Sequence, residues 1–338
     1  MTQDLIEIHD APPIPGLRFR HFRGASDFAP MAAAIAASAE ADQVERVTTV
    51  EDIAHAYAYL SNCDPYQDMI VAEINGEMIG YSRGWWFAEE NGPHLYAFVG
   101  FLVPAWRRQG IGTGMLRWME KRLRRVAEGH PAAPAKFFHA FTTQYEVGLA
   151  AMLVQEGYHP VRYNWQMVRP TLENIPDFPL PAGLEVRPVL PEHYRAIWEA
   201  SNEAFRDHWG FAQPSEEEYQ DWLTDRTIFQ PQLWQVAWDV ASNQIAGQVR
   251  PFIDHDQNEK YKRKRGFTEE ISVRRPWRRR GLARALIARS LQVQKQQGMS
   301  ESTLGVDSEN LSGATRLYEE CGFQVVKRNM IYRKSLNS

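Results

Sequence analysis

The strongest constraint on the fold is a pair of similar segments that recurs in the two halves of the chain. Residues 102–116 read LVPAWRRQGIGTGML, and residues 273–287 read VRRPWRRRGLARALI. A second pair, MLVQEGYHPV at 152–161 and LYEECGFQVV at 317–326, follows in the same order at nearly the same separation. Such self-similarity predicts that one folding unit occurs twice. A chain of 338 residues is long enough for two domains.

A proline-rich segment separates the two copies. It reads PTLENIPDFPLPAG and covers residues 170–183. Because proline fixes φ and removes a backbone donor, this segment is predicted to be an extended linker. We therefore expect an N-terminal domain at residues 1–169 and a C-terminal domain at residues 184–338.

The predicted secondary structure follows the same order in both halves. An opening strand and two helical segments precede two strands joined by a short turn. A further strand (Leu95–Val103 or Phe267–Val273) leads through a glycine-containing turn into a long helix (Ile111–Ala127 or Leu282–Gln297), and a strand, a helix and a last strand close the unit. This order indicates the α/β class, with two tandem units that each hold a mostly antiparallel mixed sheet flanked by helices.

Composition excludes several classes of function. The formal net charge of −4 argues against a general nucleic-acid-binding protein, which carries a basic surplus. The two cysteines, Cys63 and Cys321, are too few for a disulfide framework or a Cys-rich zinc site, and no histidine spacing indicates a metal. The acidic N-terminus lacks a secretory pattern, and no apolar run reaches the roughly 20 residues of a membrane span. We expect a cytoplasmic protein with no metal, nucleic-acid or membrane partner.

The turn between strand and helix is the clearest candidate for a binding site, and it has the same pattern at residues 107–112 and 278–283. The first turn of a helix leaves amide N–H groups without intrahelical acceptors, and the helix dipole makes that end positive. Arginine adds donors that suit phosphate, so we expect a pyrophosphate group there. The residues assigned to the two sites are Leu102, Arg107, Arg108, Gln109, Gly110, Ile111 and Gly112, and Val273, Arg278, Arg279, Arg280, Gly281, Leu282 and Ala283.

These motifs resemble the GNAT superfamily of acyl-CoA-dependent N-acetyltransferases over residues 17–168 and 184–333. The second half carries Val273 with residues 277–283, followed by a motif made of Asn310, Ala314, Leu317, Tyr318, Gly322 and Phe323. The resemblance implies that the turn amides hold the pyrophosphate of acetyl-CoA and that Asn310 also lies at the cofactor. It further implies that the strand before the turn separates from its neighbour to admit the pantetheine arm.

The resemblance also assigns the proton donor. In such enzymes a tyrosine on the helix after the short strand protonates the departing thiolate, and Tyr318 occupies this position. The matching residue of the first copy is Leu153, which has no proton to donate. We therefore expect the C-terminal unit to be catalytic and the N-terminal unit to be degenerate. The sequence leaves open whether the N-terminal unit still holds CoA.

The candidate general base lies on the strand before the turn, where the resemblance implies a carboxylate. Alternation places Glu269 on one face of this strand and Glu270 on the other, and a bulge implied by the resemblance would break that parity. Both residues therefore remain candidates. The first copy has Phe98 and Val99 at these places, so it lacks a base as well.

The acceptor-binding residues are the weakest assignment. Asp207, His208 and Trp209 lie between two early helices of the second half, in a region that forms a substrate wall in enzymes of this type. The basic run at residues 259–265 is interpreted as a solvated loop. The resemblance implies direct transfer of an acetyl group from acetyl-CoA to a primary amine of a small molecule or peptide, with a strand amide near Val273 binding the thioester oxygen. A non-catalytic acyl-CoA-binding or sensing protein and a protein N-acetyltransferase are the alternatives.

Overall fold

A computed structural model describes residues 4–9, 11–309 and 313–337 of the chain. The chain divides into two compact units, which do not coincide with the predicted domains. Unit 1 comprises Met1–Val161 and Met330–Ser338, and unit 2 comprises Arg162–Asn329. Each unit therefore includes a strand segment that the sequence analysis assigned to the other half.

The physical reason lies in where the two segments pair and pack. Residues 164–169 pair antiparallel with residues 302–307 of unit 2. Near the C-terminus, Tyr332 and Leu336 are buried in the core of unit 1. Hydrophobic patterning predicts that these segments are strands, but it does not say which sheet they join.

The N-terminal part of unit 1 begins with short strands and ends within a long strand, and residues from the C-terminus of the chain complete the unit. Its elements are β1 (Leu5–Ile6), β2 (Leu17–Arg20), α1 (Phe28–Ala41), α2 (Val50–Ala58), β3 (Met69–Ile74), β4 (Glu77–Ala88), β5 (His94–Leu102), α3 (Ile111–Glu128), β6 (Lys136–Thr143), α4 (Val147–Gln155) and the start of β7 (His159–Arg169). Strands β1 to β5 pair antiparallel in chain order, and β5 pairs parallel with β6. The sheet of this unit is thus mixed and mostly antiparallel, as predicted.

Unit 2 repeats much of this order. Its further elements are β8 (Leu184–Arg187), α5 (Tyr194–Phe205), α6 (Glu216–Thr224), β9 (Gln235–Asp239), β10 (Gln244–Val249), α7 (His255–Lys260), β11 (Arg265–Phe267), β12 (Ser272–Val273), α8 (Leu282–Gln296), β13 (Glu301–Asp307), α9 (Ala314–Glu320) and β14 (Gln324–Ser335), whose last residues belong to unit 1. Strands β8, β9, β10 and β12 form an antiparallel sheet, and β11 pairs parallel with β13.

The predicted helices and strands are largely confirmed, with one informative exception. The predicted long helices Ile111–Ala127 and Leu282–Gln297 are observed at Ile111–Glu128 and Leu282–Gln296. The predicted strand Phe267–Val273 is instead broken into β11 and β12, because Glu270 adopts a left-handed φ of 53° between them. The break falls at the two candidate base residues.

The proline-rich segment 170–183 is not a free linker. Leu172 is buried, and its amide donates to the carbonyl of Ser300 at 2.9 Å. Phe178 and Leu180 also pack against the main core of unit 2. The prolines keep this segment out of a strand ladder, yet its apolar side chains still gain from leaving water. The segment is therefore part of unit 2.

Each long helix packs its apolar face on a sheet and so fixes the turn that precedes it. In unit 1, Met115, Met119 and Leu123 of α3 are buried in the main core. In unit 2, Leu282 and Leu286 of α8 have the same role. A second core of unit 2, here called the aromatic cluster, is lined by Trp198, Tyr219, Trp222, Phe229, Trp234 and Trp238. In the part of the chain that is described, no helix has the length and apolar character needed to cross a bilayer.

Candidate functional site

The two turns predicted to bind an anion have the same backbone conformation. In unit 2, Arg279 has a φ of 59° and Gly281 a φ of 87°, and helix α8 begins at the next residue. In unit 1, Arg108 and Gly110 have φ values of 59° and 88°, immediately before α3. Glycine allows the left-handed conformation without steric cost. Each turn thus leads tightly into a helix whose first amides have no intrahelical acceptor.

The first arginine of each turn holds the turn in place. The Nε of Arg278 donates to the carbonyl of Val273 at 2.9 Å, Nη2 to the carbonyl of Ala204 at 3.0 Å, and Nη1 to Asp207 at 2.8 Å. In unit 1, Arg107 likewise bonds the carbonyl of Leu102 and both oxygens of Asp42. The motif predicts phosphate contacts for these side chains. Their donors instead connect the turn to the preceding strand and an early helix.

Other cations lie at the turn of unit 2, and the sequence analysis missed one of them. Arg279 and Arg280 are exposed, and Arg280 bonds the carbonyl of Ala182 at 2.9 Å. The missed residue is Arg284, whose Nε and Nη2 lie 3.3 Å from the point where a Cβ on Gly281 would be. Residues three apart on a helix share a face. The three-residue separation of Arg284 from Gly281 in the sequence could therefore have indicated that Arg284 lies at the turn. In unit 1, the amide of Gln109 donates to the carbonyl of Ala105.

The strand before each turn separates from its parallel neighbour. In unit 2, β11 pairs with β13 through Phe267, and the amide of Thr268 bonds the carbonyl of Thr303 at 2.8 Å. Beyond this point β12 pairs with β10 on the other side. In unit 1, β5 pairs with β6 only through Ala97. Both units therefore contain strands that part where the resemblance places the pantetheine arm.

The two candidate bases lie at this opening and have different partners. The Oε1 of Glu269 accepts the backbone N–H of Gly305 on β13 at 3.1 Å. The Oε2 of Glu270 accepts the hydroxyl of Ser201 at 3.0 Å and Nη2 of Arg250 at 2.7 Å. Glu269 has no cationic partner among the ion pairs of the described residues. Only Glu270 is neutralised by an arginine.

These partners shift the two pKa values in opposite directions. Burial, followed by the negative charge of Glu270, raises the pKa of Glu269 to about 8, and the hydrogen bond from Gly305 opposes the rise. Partial desolvation also raises the pKa of Glu270, whose side chain is 45% exposed, but the charge and hydrogen bond of Arg250 and the hydrogen bond of Ser201 outweigh it, so the net shift of this pKa is downward. Glu270 therefore stays ionised at neutral pH. Glu269 can gain or lose a proton near neutral pH.

Tyr318 lies on α9 and is buried, with 7% of its surface exposed. Burial and then the charge of Glu269 raise the pKa of its hydroxyl. The hydroxyl therefore remains protonated at neutral pH and can act as a donor. In unit 1, Leu153 is fully buried in the core and Phe98 is buried as well. Unit 1 thus has no ionisable side chain at either position.

The three residues predicted to contact the acceptor have different partners. Asp207 bonds both Arg275 and Arg278, and these hydrogen bonds hold the pKa of its carboxyl well below its usual range. His208 packs edge-on against Phe205, with ring centroids 4.7 Å apart. The guanidinium of Arg162 lies over the ring of Trp209. Asp207 therefore supports the turn, whereas His208 and Trp209 are exposed side chains beside it.

Two further assignments complete the site. Asn310 lies outside the described residues. The basic run at 259–265 is ordered in part: α7 ends at Lys260, and Arg265 on β11 pairs with Glu301 at 2.7 Å. Within residues 4–9, 11–309 and 313–337, no group of three or more His, Cys, Asp and Glu side chains could hold a metal ion.

Comparison with known proteins connects this geometry to one family. The model of the Acetyltransferase (GNAT) family matches residues 35–132 and 194–323, which lie in both halves. The chain is 28% identical over 282 residues to a mycothiol acetyltransferase of Salinispora arenicola, covering 80% of this chain and 82% of that protein. It is 29% identical over 269 residues to a mycothiol acetyltransferase of Salinispora tropica, covering 77% and 78%.

Solved structures give the same result. The chain superposes on a GCN5-related N-acetyltransferase from Sphaerobacter thermophilus with a TM-score of 0.70 and 27% identity, over 95% of this chain and 96% of that one. A tandem GNAT protein from the clavulanic acid biosynthesis pathway has a TM-score of 0.65 at 14% identity and shares the fold, over 95% and 98% of the two chains.

Proposed function

The chain belongs to the Acetyltransferase (GNAT) family and is an acyltransferase, and from this premise we propose that unit 2 transfers an acetyl group from acetyl-CoA to a primary amine of a small-molecule acceptor. The observation that carries the proposal is the position of Glu269 at the opening between β12 and β13, electrostatically coupled to the buried hydroxyl of Tyr318. A carboxylate and a protonated phenol are the two groups that acetyl transfer to an amine needs.

The turn of unit 2 is proposed to bind the pyrophosphate of acetyl-CoA. The amides of Leu282 and Ala283 begin α8 after the left-handed Gly281, and Arg279 and Arg284 supply positive charge beside them. A first helical turn with bare amides and adjacent guanidinium groups suits a diphosphate. Arg278 contributes through its bonds to Val273 and Ala204, which hold the turn against the strand.

Each proton has a proposed place in the reaction. Glu269 accepts a proton from the acceptor ammonium, which frees the lone pair of the amine to attack the thioester carbonyl carbon. A strand amide near Val273 donates to the oxyanion that forms. When the tetrahedral intermediate collapses, the C–S bond breaks, and the Tyr318 hydroxyl gives its proton to the departing thiolate. The second proton on the attacking nitrogen then passes to the Tyr318 phenolate, and Glu269 releases its proton to water, so both residues return to their starting forms. The products are an amide and free CoA.

Several observations support a small-molecule acceptor and catalysis in unit 2. The relatives named mycothiol acetyltransferases resemble this chain over more than three quarters of its length. Unit 1 carries Leu153 and Phe98 where unit 2 carries Tyr318 and Glu269, so it lacks both proton-handling groups.

A turnover screen tests the proposal. Acetyl-CoA consumption is measured with small amines, amino acids, aminoglycosides and peptides, and the acetylated product is identified by mass spectrometry. We expect turnover with at least one small amine. Turnover with peptides alone would favour a protein N-acetyltransferase, and CoA binding without any turnover would favour a sensing role. Either of these results would contradict the proposal.

A further inference from the structure

Arg250 is a buried cation at the edge of the candidate active site. It follows β10 directly, and only 6% of its surface is exposed. Its guanidinium carbon lies 4.9 Å from the ring centroid of Trp222 and 5.6 Å from that of Trp234, both in the aromatic cluster. Arginine in such a setting loses water contacts, so it needs a strong partner. That partner is Glu270, at 2.7 Å.

Arg250 contacts both Glu269 and Glu270 at the break between β11 and β12, here called the bulge. Its backbone N–H donates to the carbonyl of Glu269 at 2.9 Å, and its Nη2 donates to the carboxylate of Glu270. The hydroxyl of Ser201 on α5 donates to the same carboxylate oxygen. Nε and Nη1 of Arg250 are buried and have no hydrogen-bond partner among the described residues, so the guanidinium is fixed by Glu270 and the two tryptophan rings.

The bulge needs this support because its backbone is strained. Glu270 has a φ of 53°, a conformation that side-chain-bearing residues adopt at an energetic cost. Strain of this kind persists only where surrounding contacts impose it. If Glu270 returned to an extended conformation, the direction of Glu269 would change, since neighbouring side chains alternate along a strand. The carboxylate of Glu269 would then leave Gly305 and the opening between the strands.

We propose that Arg250 is a positioning residue for acetyl transfer, which holds the strained Glu269–Glu270 bulge so that the carboxylate of Glu269 points into the opening. This inference rests on the proposed function for its kinetic consequence. Arg250 does not touch the reacting atoms in this account. Because Arg250 is itself fixed against the aromatic cluster, its bonds to Glu269 and Glu270 keep the base in one position.

The test compares substitutions at Arg250 with a matched control. Arg195 also stacks on the aromatic cluster, with its guanidinium carbon 3.5 Å from the ring centroid of Tyr219, but it pairs with Glu216. We expect Arg250→Met to lower kcat by about 10- to 100-fold, the scale for a misplaced catalytic group. The KM of Arg250→Met for acetyl-CoA should stay within about twofold of that of the unaltered chain. Arg250→Lys should recover part of kcat. Arg195→Met should have the kcat and KM of the unaltered chain.

Other results would overturn the proposal. An unchanged kcat in Arg250→Met, or an equal loss in Arg195→Met, would do so. If Arg250→Met does not fold, Ser201→Ala removes the second hydrogen bond to Glu270, and an unchanged kcat there contradicts the proposal. If the unaltered chain acetylates no amine, the proposed function fails separately. The carboxyl resonance of Glu269, followed by NMR, should then still shift in Arg250→Lys and Ser201→Ala but not in Arg195→Met.

A different observation, confined to unit 1, carries a second inference. Side chains among residues 5–9 and 11–15 lie against the turn that precedes α3 and against the start of that helix. Ring carbons of Pro12 lie 3.6–4.0 Å from the point where a Cβ on Gly110 would be, and a methyl of Ile8 lies 3.7 Å from that point on Gly114. Ile6, Ile8, Ala11 and Ile14 also pack against the core of unit 1. At Gly281 of unit 2, the three nearest atoms to the equivalent point all belong to Arg284.

The structure points to the side chains of Ile8 and Pro12 as an intramolecular cover that keeps a pyrophosphate away from the turn of unit 1. The two turns share their backbone conformation, so the torsion angles do not distinguish them, whereas the side chains that lie beside the glycine do. Apolar side chains at the start of α3 also exclude water and fill the space that a bound diphosphate would occupy. The chain should accordingly bind one CoA.

Isothermal titration calorimetry with CoA tests the cover. We expect a stoichiometry of one for the full chain. Ala283→Glu should abolish binding by placing a carboxylate at the turn of unit 2, whereas the matched Gly112→Glu should leave stoichiometry and affinity unchanged. The double variant Ile8→Asp, Pro12→Gly should gain a second, weaker site. Two sites in the full chain, a loss in Gly112→Glu, or no second site in the folded double variant would overturn the inference.

Discussion

Glu269 and Glu270 are neighbours in the chain, yet their carboxylates lie in opposite electrostatic settings. Glu270 accepts hydrogen bonds from Arg250 and Ser201, and Glu269 accepts only the backbone N–H of Gly305 among the hydrogen bonds of the described residues. Burial and then the charge of the ionised Glu270 raise the pKa of Glu269, whereas the Arg250 cation lowers the pKa of Glu270. One carboxylate is thus suited to exchange a proton, and the other to remain charged.

This arrangement predicts the pH dependence of the reaction. A base must be deprotonated to act, so kcat/KM should rise with pH through a midpoint near 8, the raised pKa of Glu269. Glu270→Gln keeps an acceptor for Arg250 but removes the negative charge, so the midpoint should move to lower pH. The pH–rate profiles of both chains measure this shift. A midpoint that stays in place in Glu270→Gln would show that the charge of Glu270 does not control the base.

The same pKa predicts an effect on stability. The folded value of about 8 exceeds the ordinary value of 4.5, so the native state favours the protonated form. The associated stability is complete below the ordinary pKa and is lost as pH rises through the folded one. Glu269→Gln should therefore raise Tm by a few degrees at pH 9 and leave it nearly unchanged at pH 4, as measured by differential scanning calorimetry. An equal Tm change at both pH values would contradict the shift.

Tyr318 is expected to act on turnover and not on binding. Tyr318→Phe removes the hydroxyl from a buried ring that packs near Phe323 and leaves the ring in place. We expect kcat to fall by about 100-fold, the lower end of the range for general acid catalysis. The affinity for CoA, measured by calorimetry, should be unchanged. An unaltered kcat would remove Tyr318 as the proton donor.

Asp207 is expected to support the turn through its two arginines. Asp207→Ala removes the carboxylate that bonds Arg275 and Arg278, and its partly exposed position limits the loss to about 1 kcal/mol, or roughly fivefold in CoA affinity. The matched change in unit 1 is Asp42→Ala, which frees Arg107 in the same way. If unit 1 is covered, Asp42→Ala should leave CoA affinity unaltered. Equal effects of the two changes would argue against a single binding turn.

The sequence predicted the parts of the fold that depend on local pattern. The duplicated segments gave two turns with matching torsions at Gly110 and Gly281, and the repeat gave the order of elements in both units. The exchange of residues 162–169 and 330–338 was not predictable in this way, because strand periodicity carries no information on pairing partners. Leu172 shows the same limit, since its burial depends on a surface formed by distant residues.

The candidate site was predicted by residue type but not by role. Glu269 and Glu270 differ because Arg250 and Ser201, far away in the chain, bond only one of them. The guanidinium of Arg278 donates to the carboxylate of Asp207, and not to the anion that the sequence predicts at the turn. Roles of this kind depend on contacts between distant segments, whereas a motif records only neighbours in the chain.

Glu269→Gln gives the most direct measurement of whether unit 2 performs acetyl transfer. With an amine identified in the turnover screen, kcat should fall by at least about 100-fold, because the amide cannot accept the amine proton. The affinity for CoA should be retained, since the turn before α8 is unchanged. Turnover close to that of the unaltered chain, with CoA bound equally well, would contradict the account.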